Sequence, residues 1–326
     1  MHTREGRDGR LLLSIGETMG RFSAGGIGML DFVPDFTLGL AGAESNVAIA
    51  AARLGAPAAW VGRVGPDSTG DLIERRLRAE GVYAVAIRDP APTGLMVLSR
   101  RTNSSVEVDY HRSGSAGTQL RAQDVSADLL NRAGIVHLTG ITPALSAGAR
   151  RATFEIAAAA RSAGALVSVD VNFRSKLWSA QQAAPVLADL VRAADIVFAG
   201  PDEAQLVLGS QEDHLDELAG SVHHLGPAEV IIKDGARGCV ALLSDPDGGG
   251  RHQVAAPQVQ VADPVGAGDA FVGGYLAERL RSEPGLTRLR TAVRTGSYAV
   301  TVPGDCEGLP TRTELEKFDD ADDITR

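Results

Sequence analysis

The sequence contains few residues of several chemically informative kinds. Its 326 residues include two cysteines, Cys239 and Cys306, too few for a disulfide framework or a cysteine-rich zinc site, and this predicts a reducing, cytoplasmic setting. Acidic residues outnumber basic ones by 41 to 32, so the chain lacks the broad basic field of many nucleic-acid-binding proteins. No apolar run approaches the roughly 18 residues of a membrane span. We therefore expect no nucleic-acid partner and no membrane partner.

Metal-ligating side chains are also sparse. The seven histidines form no cluster with ligand spacing, since His223 and His224 are adjacent and no His-Glu-x-x-His run occurs. A structural zinc site is therefore not expected. What remains is an ordinary globular composition, with 44% hydrophobic and 22% charged residues. The length fits two domains, or one large α/β domain with an accessory piece.

Short apolar runs alternate with amphipathic helical patterns over most of the chain. Residues 11–15 form the first such run and predict a buried strand, and residues 43–54 predict a helix that ends before Gly55. Strands that alternate with helices imply a parallel sheet covered on both faces, so the expected class is α/β. The same patterns predict further strands at 59–64, 134–138, 166–171, 196–198, 229–233 and 239–243, and helices at 70–80, 146–163, 181–193, 201–208, 269–280 and 288–300.

Two helix-poor segments interrupt this alternation. Residues 17–40 combine glycines with scattered aromatic side chains, and residues 84–112 include two predicted strands, 93–99 and 105–111, joined by a polar turn at 101–103. We expect the two segments to pair as a small sheet beside the main domain. The predicted division is then a core of 11–16, 41–83 and 113–315, a small sheet of 17–40 and 84–112, and flexible termini at 1–10 and 316–326.

The most informative segment is the glycine-rich turn that precedes the helix predicted at 269–280. In Gly266-Ala267-Gly268, the free backbone N–H groups and the helix dipole would form an anion site, and the glycines would let a phosphate approach closely. Asp269 follows directly, where a carboxylate would repel a phosphate. Its natural task is to take a proton from a hydroxyl that attacks a phosphoryl group.

Other interpretations of this turn can be compared by spacing. A dinucleotide-binding fingerprint would need glycine at position 271, which is Phe271 here, so a dehydrogenase is not favoured. A Walker A loop would need a Gly-Lys-Ser/Thr tripeptide, which does not occur. An ordinary capped helix remains the structural alternative.

The segment from Gly266 to Asp269 resembles the C-terminal signature of the ribokinase-like (PfkB-type) carbohydrate kinases. Residues 41–46, 51–55 and 62–70 look like that family's N-terminal sugar-binding segment. Within the family the chain is most similar to the branch that acts on 2-keto-3-deoxygluconate, through the segments 92–94, 110–116, 137–145, 170–178 and 307–311.

The resemblance implies a ribokinase-like fold, in which a doubly wound, mostly parallel sheet with helices on both faces carries a small β-sheet lid. It implies an ATP-dependent kinase that uses Mg²⁺ and phosphorylates the terminal hydroxyl of a sugar or sugar acid. The preferred substrate is 2-keto-3-deoxygluconate, converted to its 6-phosphate. Lids of this kind often form dimer interfaces, so a homo-oligomer is expected. Activation by a monovalent cation such as K⁺ near residues 263–269 stays open.

By the same resemblance, Asp269 is the general base and the 266–268 amides form the anion hole. Lys233, Gly235 and Gly238 fall in a segment that lies against the nucleotide in the family. The alternative for this segment is a plain β-turn between the strands predicted at 229–233 and 239–243.

Glu203 stands where the family places a glutamate that orients hydrated Mg²⁺. The usual asparagine or serine three residues earlier is Gly200 here, so a side-chain contact from that position is lost. The alternative is that Glu203 is an acid at a helix N-terminus, favoured by the helix dipole.

The substrate residues implied by the resemblance begin with two arginines, Arg112 and Arg174, whose guanidinium groups could hold a carboxylate bidentately. The alternative is solvated surface charge, since only three of the 32 basic residues are lysine. Tyr110 would pack on the sugar, or else face the core of the lid. Gly42 and Asn46 would contact sugar oxygens, or else Asn46 would cap a helix.

Three positions depart from the pattern of the keto-acid kinases. Ala41 replaces a glycine and its methyl group would crowd the sugar, Met96 replaces an aromatic hydroxyl at the substrate, and Ser113 replaces a basic residue. These changes leave open a kinase of a neutral sugar of the fructose or ribose type. A non-catalytic sugar- or nucleotide-binding protein of the same fold is a further alternative, against which the intact Asp269 argues.

Overall fold

The computed structural model describes residues 10–102, 105–244 and 249–318. Most of the predicted flexible termini, residues 1–9 and 319–326, lies outside the described residues, as does the turn residue at 103. Residues 316–318 are described, and they form the end of a helix rather than a frayed tail.

Helices and strands alternate along the chain as the hydrophobic pattern predicts. The thirteen strands of the described residues are β1 (Leu11–Ile15), β2 (Met19–Ile27), β3 (Phe36–Ala41), β4 (Ala58–Val64), β5 (Tyr83–Arg88), β6 (Leu95–Thr102), β7 (Ser105–His111), β8 (Ala133–Thr139), β9 (Leu166–Asp170), β10 (Ile196–Ala199), β11 (Glu229–Lys233), β12 (Cys239–Leu243) and β13 (Gly250–Val254). The eleven described helices are α1 (Ala43–Arg53), α2 (Ser68–Ala79), α3 (Ala127–Arg132), α4 (Thr142–Leu145), α5 (Ala147–Ser162), α6 (Ala180–Arg192), α7 (Pro201–Leu208), α8 (Leu215–His223), α9 (Ala267–Leu280), α10 (Gly285–Ala299) and α11 (Arg312–Phe318).

Nine strands form one large sheet in the order β13-β12-β11-β10-β9-β8-β1-β4-β5. Neighbouring strands are parallel from β5 to β11, and β12 and β13 extend the sheet antiparallel. Successive residues of a strand face opposite sides, and β1 shows the consequence. Leu13 packs in a cluster with Ile156 of α5, whereas Leu12 packs in a second cluster with Tyr275 of α9. Both faces are therefore covered by helices, which confirms the predicted α/β class.

The remaining four strands form a separate small sheet in the order β3-β2-β6-β7. Its own apolar contacts are few and centre on Met19, Ala41, Met96 and Leu98. The prediction that all of 84–112 belongs to the small sheet is wrong at its start. Residues 84–88 belong to β5, which pairs with β4 in the large sheet. The reason is that β5 follows β4 and α2 as the last strand of a βαβ unit, which places it parallel to β4.

The hydrophobic pattern does not predict α3, α4, α8, α11 or β13. The four helices have four to nine residues each, and β13 carries polar side chains at the edge of the sheet. Within the described residues, no helix combines the length and the apolar character needed to cross a bilayer.

Candidate active site

Parallel strands bring their carboxyl ends to one edge of the large sheet, and polar side chains gather there. Asp170 is the last residue of β9, Lys233 the last of β11, and Thr139 the last of β8. A cavity of about 820 Å³ opens at this edge, and the small sheet contributes part of its wall through Met96 and Tyr110.

The cavity gathers most of the predicted site residues from distant parts of the sequence. Among the described residues, the predicted ones that line it are Gly42, Asn46, Met96, Tyr110, Arg112, Arg174, Glu203, Lys233, Gly266, Gly268 and Asp269. Ala267, Gly235 and Gly238 do not line it.

The predicted anion-binding turn forms at one end of the cavity. Gly266 is the N-cap of α9 and has a left-handed backbone with φ of 78°. A Cβ atom there would lie 2.2 Å from the carbonyl oxygen of Asp305, so no side chain fits. The first backbone N–H groups of α9 lack partners within the helix, as at every helix start. The turn can therefore receive an anion at the mouth of the cavity.

Gly235 and Gly238 lie in the tight connection between β11 and β12. Gly238 has φ of 100°, and a Cβ atom there would lie 1.9 Å from the carbonyl oxygen of Val254. This glycine is required by the approach of β13. The tight connection itself agrees with the β-turn interpretation, and contact of the segment with a nucleotide stays a prediction.

Asp269 stands in the first turn of α9, half-buried against the cavity. Its Oδ2 accepts a 2.8 Å hydrogen bond from Nδ2 of Asn46. Burial raises the pKa of Asp269, and the Asn46 hydrogen bond and the charges of Arg174 and Lys233 act in the opposite direction. A carboxylate with a raised pKa next to an anion-binding turn is suited to general-base chemistry.

Lys233 places a positive charge beside the same turn. Its Nζ donates to both carboxylate oxygens of Asp170, at 2.8 and 2.7 Å, and lies 3.7 Å from the position that a Cβ atom on Gly268 would occupy. Burial would lower the pKa of Lys233, but the carboxylates of Asp170 and Glu203 outweigh it and the pKa is raised. Burial raises the pKa of Asp170 to about 6 against the opposing charge of Lys233. The lysine therefore stays charged where phosphate would lie.

Glu203 lies near the start of α7 and is held by two backbone amides. Its Oε1 accepts from the N–H of Phe173 at 2.9 Å, and its Oε2 accepts from the N–H of Gly200 at 2.7 Å. The helix-terminus interpretation of Glu203 is thus correct as local structure, and Gly200 contributes its amide in place of a side chain. Glu203 also lines the cavity, and its role toward hydrated Mg²⁺ stays a prediction.

The donor set suits a hard divalent cation held mainly through water. Carboxylate oxygens of Asp170 and Glu203 line the cavity, and Mg²⁺ prefers such oxygens while keeping several waters. No group of three or more potential protein ligands occurs in the described part of the chain. Glu203 therefore fits a water-mediated role toward Mg²⁺ that is also bound by substrate phosphates.

The two predicted carboxylate-binding arginines have different environments. Arg112 is buried, and its Nη2 donates to Oε2 of Glu17, whose Oε1 accepts a 2.5 Å hydrogen bond from Ser115. Arg174 is exposed, and its guanidinium group makes no hydrogen bond or ion pair with other described residues. Glu17 therefore already neutralises one arginine, and Arg174 is the freer cation. The guanidinium group of Arg112 lies 5.7 Å from the ring centroid of Tyr110.

Asn46 is positioned differently from the prediction. It lies inside α1, whose N-cap is Gly42, so the alternative of a helix cap is wrong. Its Nδ2 donates to Asp269 Oδ2 and to Asp305 Oδ1, both at 2.8 Å. Both N–H groups of the amide are thus used within the protein, and its Oδ1 is buried without a partner. A substrate hydroxyl could reach Asn46 only through that oxygen.

Five acids of the cavity are not among the predicted site residues, namely Glu17, Glu44, Asp170, Asp202 and Asp305. Burial raises the pKa of Glu44 to about 7, although Thr139 and Thr142 donate hydrogen bonds to it. Burial raises the pKa of Asp305 to about 7, and the charge of Asp269 adds to this. Glu44 could have been found as an acid within an apolar helix. Asp305 gives no local signal, because its partner Asn46 lies 259 residues away.

The whole chain is similar to several known proteins. The chain matches the model of the pfkB family carbohydrate kinases over residues 10–312. It is 35% identical over 313 residues to a 2-dehydro-3-deoxygluconokinase from Bacillus subtilis (strain 168), with 94% of each chain covered. A crystal structure of a PfkB protein from Polaromonas sp. JS666 is 31% identical with a TM-score of 0.83, covering 94% of this chain and 99% of that one. A fructokinase from Vibrio cholerae O395, solved with fructose, ADP and a calcium ion, is 25% identical with a TM-score of 0.82, covering 95% and 99%.

Proposed function

Because the chain belongs to the pfkB family of carbohydrate kinases, we propose that it transfers the γ-phosphoryl group of ATP to the terminal hydroxyl of a sugar acid. The predictions of the family, the ribokinase-like fold and carbohydrate kinase activity are confirmed. The identity of the sugar and the role of each residue are the proposal. The observation that carries it is the half-buried Asp269 at the mouth of the glycine turn, with Lys233 beside it.

In the proposed reaction, Asp269 takes the proton of the substrate hydroxyl. The hydroxyl oxygen then forms its bond to the γ-phosphorus as the bond from phosphorus to the bridging oxygen of ADP breaks. The N–H groups of the turn at Gly266–Gly268 stabilise the charge on the transferring group, and Lys233 adds its positive charge. Closure of the small sheet over the cavity would exclude water that otherwise hydrolyses ATP.

Mg²⁺ bound with ATP would neutralise phosphate charge and orient the phosphate chain. Glu203 would hold its hydration shell, with the carboxylate kept in place by the amides of Phe173 and Gly200.

We propose 2-keto-3-deoxygluconate as the substrate, with the 6-phosphate as the product. Arg174 and the remaining donors of Arg112 line the cavity, where a planar guanidinium can bind a carboxylate. The similarity to the kinase from Bacillus subtilis supports this choice. The name of that enzyme contains 2-dehydro-3-deoxygluconate, which is another name for 2-keto-3-deoxygluconate.

A neutral sugar of the fructose or ribose type is the second candidate. One observation favours it: Glu17 already pairs with Arg112, which reduces the positive charge available to a carboxylate and offers acceptors to hydroxyls. The methyl group of Ala41 and the thioether of Met96 also line the cavity.

The test is ADP release with ATP·Mg²⁺ against 2-keto-3-deoxygluconate, 2-ketogluconate, gluconate, fructose, ribose and adenosine. We expect kcat/KM for the keto-deoxy acid to exceed that of the neutral sugars by about 100-fold, worth roughly 3 kcal/mol of transition-state discrimination. If a neutral sugar has the highest kcat/KM, the proposed substrate is wrong and the kinase mechanism is unaffected.

The role of Asp269 is tested by Asp269→Asn. We expect kcat to fall by about 10²–10⁴-fold, because the base is removed, while the Kd for ATP measured by calorimetry stays within a few-fold of that of the unmodified chain. A kcat of this variant close to that of the unmodified chain would show that the mechanism is wrong.

We also propose that the small sheet pairs with a second copy of the chain. Its strands and the β2–β3 connection expose apolar side chains at Ile27, Phe32, Phe36, Leu38 and Val106, a patch of the kind that marks interfaces. Light scattering after gel filtration should report a dimer that Leu38→Asp converts to a monomer, and a monomeric starting protein would contradict this. The cytoplasmic location and K⁺ dependence stay predictions.

A further inference from the structure

A row of polar contacts connects the small sheet to the catalytic carboxylate. Arg21 of β2 donates to Oε2 of Glu307 at 3.3 Å. The same oxygen accepts the backbone N–H of Asp305 at 2.8 Å. Asp305 Oδ1 accepts from Asn46, and Asn46 donates in turn to Asp269. Asp305 is the central member of this row, and neither the sequence patterns nor the proposed mechanism assigns it a role.

Asp305 also touches the anion-binding turn. Its carbonyl oxygen lies where a side chain on Gly266 would have to go, 2.2 Å from the position of that Cβ atom. One residue therefore supports both parts of the reaction machinery: its backbone packs on the turn and its side chain holds Asn46. Asp305 is 8% exposed, so it does this from the wall of the cavity.

The amide of Asn46 explains why a carboxylate is needed at position 305. An asparagine amide has two N–H donors and one carbonyl acceptor. With Asp305 accepting one N–H, the amide cannot flip, because a flip would turn its Oδ1 toward two carboxylates. The second N–H is then fixed on Oδ2 of Asp269, which leaves Oδ1 of Asp269 available to a substrate hydroxyl.

We propose that Asp305 is a positioning residue, which orients the Asn46 amide so that Asp269 is held in place to accept the proton of the substrate. This inference rests on the proposed function of Asp269 as the base. Asp305 itself touches neither the sugar nor ATP in this role, and it acts through Asn46.

Two substitutions separate positioning from charge. In Asp305→Ala the acceptor is lost, and we expect kcat to fall 10- to 100-fold while KM for ATP changes by less than about threefold. In Asp305→Asn the side-chain carbonyl can still accept from Asn46, and we expect most of kcat to return. A kcat of Asp305→Ala within twofold of the unmodified chain, or an Asp305→Asn variant as impaired as Asp305→Ala, would overturn the proposal.

The pH profile of kcat gives a readout that a merely structural role would not move. Asp305→Asn removes a negative charge next to Asp269 and keeps the hydrogen bond, so the acidic limb should shift to lower pH. In Asp305→Ala the limb should lie at higher pH than in Asp305→Asn, because the hydrogen bond from Asn46 is no longer fixed. Coincident limbs in the two variants would contradict the proposal. The charged or titratable groups that face Asp305 or Asp269 are Glu44, Asp170, Arg21, Glu307, Cys306, Arg174 and Lys233.

A measurement without turnover keeps the two proposals distinguishable. The chain has four asparagines, so ¹⁵N-asparagine labelling gives few side-chain amide signals, and Asn46→Ala identifies the relevant one. We expect its protons to exchange at least tenfold faster in Asp305→Ala than in Asp305→Asn. Equal exchange rates would refute the positioning role even in an inactive protein, whereas an active Asp269→Asn variant would refute only the assignment of the base.

Glu314→Gln is the matched control. It removes one negative charge in the same C-terminal region, at α11, where Glu314 bonds to Thr311 and not to Asn46. We expect its kcat and pH profile to equal those of the unmodified chain. Thermal unfolding of each variant, followed by circular dichroism, verifies that the protein is folded.

Discussion

Buried carboxylates have different partners at the amino ends and at the carboxyl ends of the parallel strands in the large sheet. Where β11 begins, Glu229 accepts hydrogen bonds from Tyr275 at 2.6 Å, from Arg279 at 2.8 Å and from Arg288 at 3.0 Å. Cations outnumber the acid there, and each carboxylate oxygen has partners. At the opposite edge, Asp269 and Asp305 share the single amide of Asn46, with Glu44 close by.

This difference separates stabilising charge from reactive charge. A buried carboxylate that accepts hydrogen bonds from several cations, as Glu229 does, links the elements that carry them. Carboxylates that share a neutral amide have raised pKa values, because burial disfavours their charged forms and no cation is bonded to them. A raised pKa brings a carboxylate closer to the pH at which it exchanges protons. The same low dielectric thus supports the fold at one edge and the chemistry at the other.

The largest effect on stability is expected from breaking the satisfied cluster. Glu229→Ala removes the carboxylate to which Arg279 and the fully buried Arg288 both donate, and we expect the free energy of unfolding to fall by about 3–5 kcal/mol. Urea denaturation at pH 7 measures this. Activity per folded molecule should change little, and a loss of stability below about 1 kcal/mol would contradict the contrast between the two edges.

At the opposite edge, a substitution is expected to raise the free energy of unfolding, by less than Glu229→Ala lowers it. The pKa of Glu44 is raised to about 7 from 4.5, so the native state binds this proton more tightly than the unfolded state, and stability is lost as the pH rises from about 4.5 to 7. Glu44→Gln cannot ionise and escapes this loss. Its stability relative to the unmodified chain should therefore rise between pH 5 and pH 8, by at most about 3 kcal/mol.

Urea denaturation of both proteins at pH 5 and pH 8 measures this difference in unfolding free energy. Groups present in both proteins, such as His137, contribute almost equally to each and largely cancel. A relative stability that falls with pH would mean that Glu44 is ionised and stabilised in the fold.

The smallest effect is expected from a surface ion pair that belongs to neither edge. Arg192 and Asp189 of α6 form an exposed pair at 2.7 Å, and such pairs contribute little. Arg192→Ala should change the free energy of unfolding by less than about 0.5 kcal/mol, with no dependence on salt beyond that of the unmodified chain. A loss comparable to that of Glu229→Ala would show that burial does not distinguish these clusters.

The sequence predicted those features that depend on neighbours in the chain. Apolar runs located most of the strands, and the glycine spacing before α9 located the turn with Asp269. Features that depend on distant residues were missed. The edge strand β5 pairs with β4 across an intervening helix, and Asp305 meets Asn46 through tertiary contact alone. Arg112 was predicted from its chemistry, but its pairing with Glu17 across 95 residues was not, since side-chain pairing follows from packing.

The strand order of the large sheet has a consequence for where the sequence tolerates substitution. From β1 the chain proceeds outward to β4 and β5 on one side, and it later returns to β8 on the other side of β1. Connections that leave adjacent strands in opposite directions open a crevice between them without any special side chain. The pocket is therefore a product of winding, and some of its lining residues, such as Met96 and Tyr110, belong to the small sheet, which is separate from the large one. Substitutions at such positions can alter which sugar is accepted while the scaffold and the glycine-rich turn at Gly266–Gly268 persist.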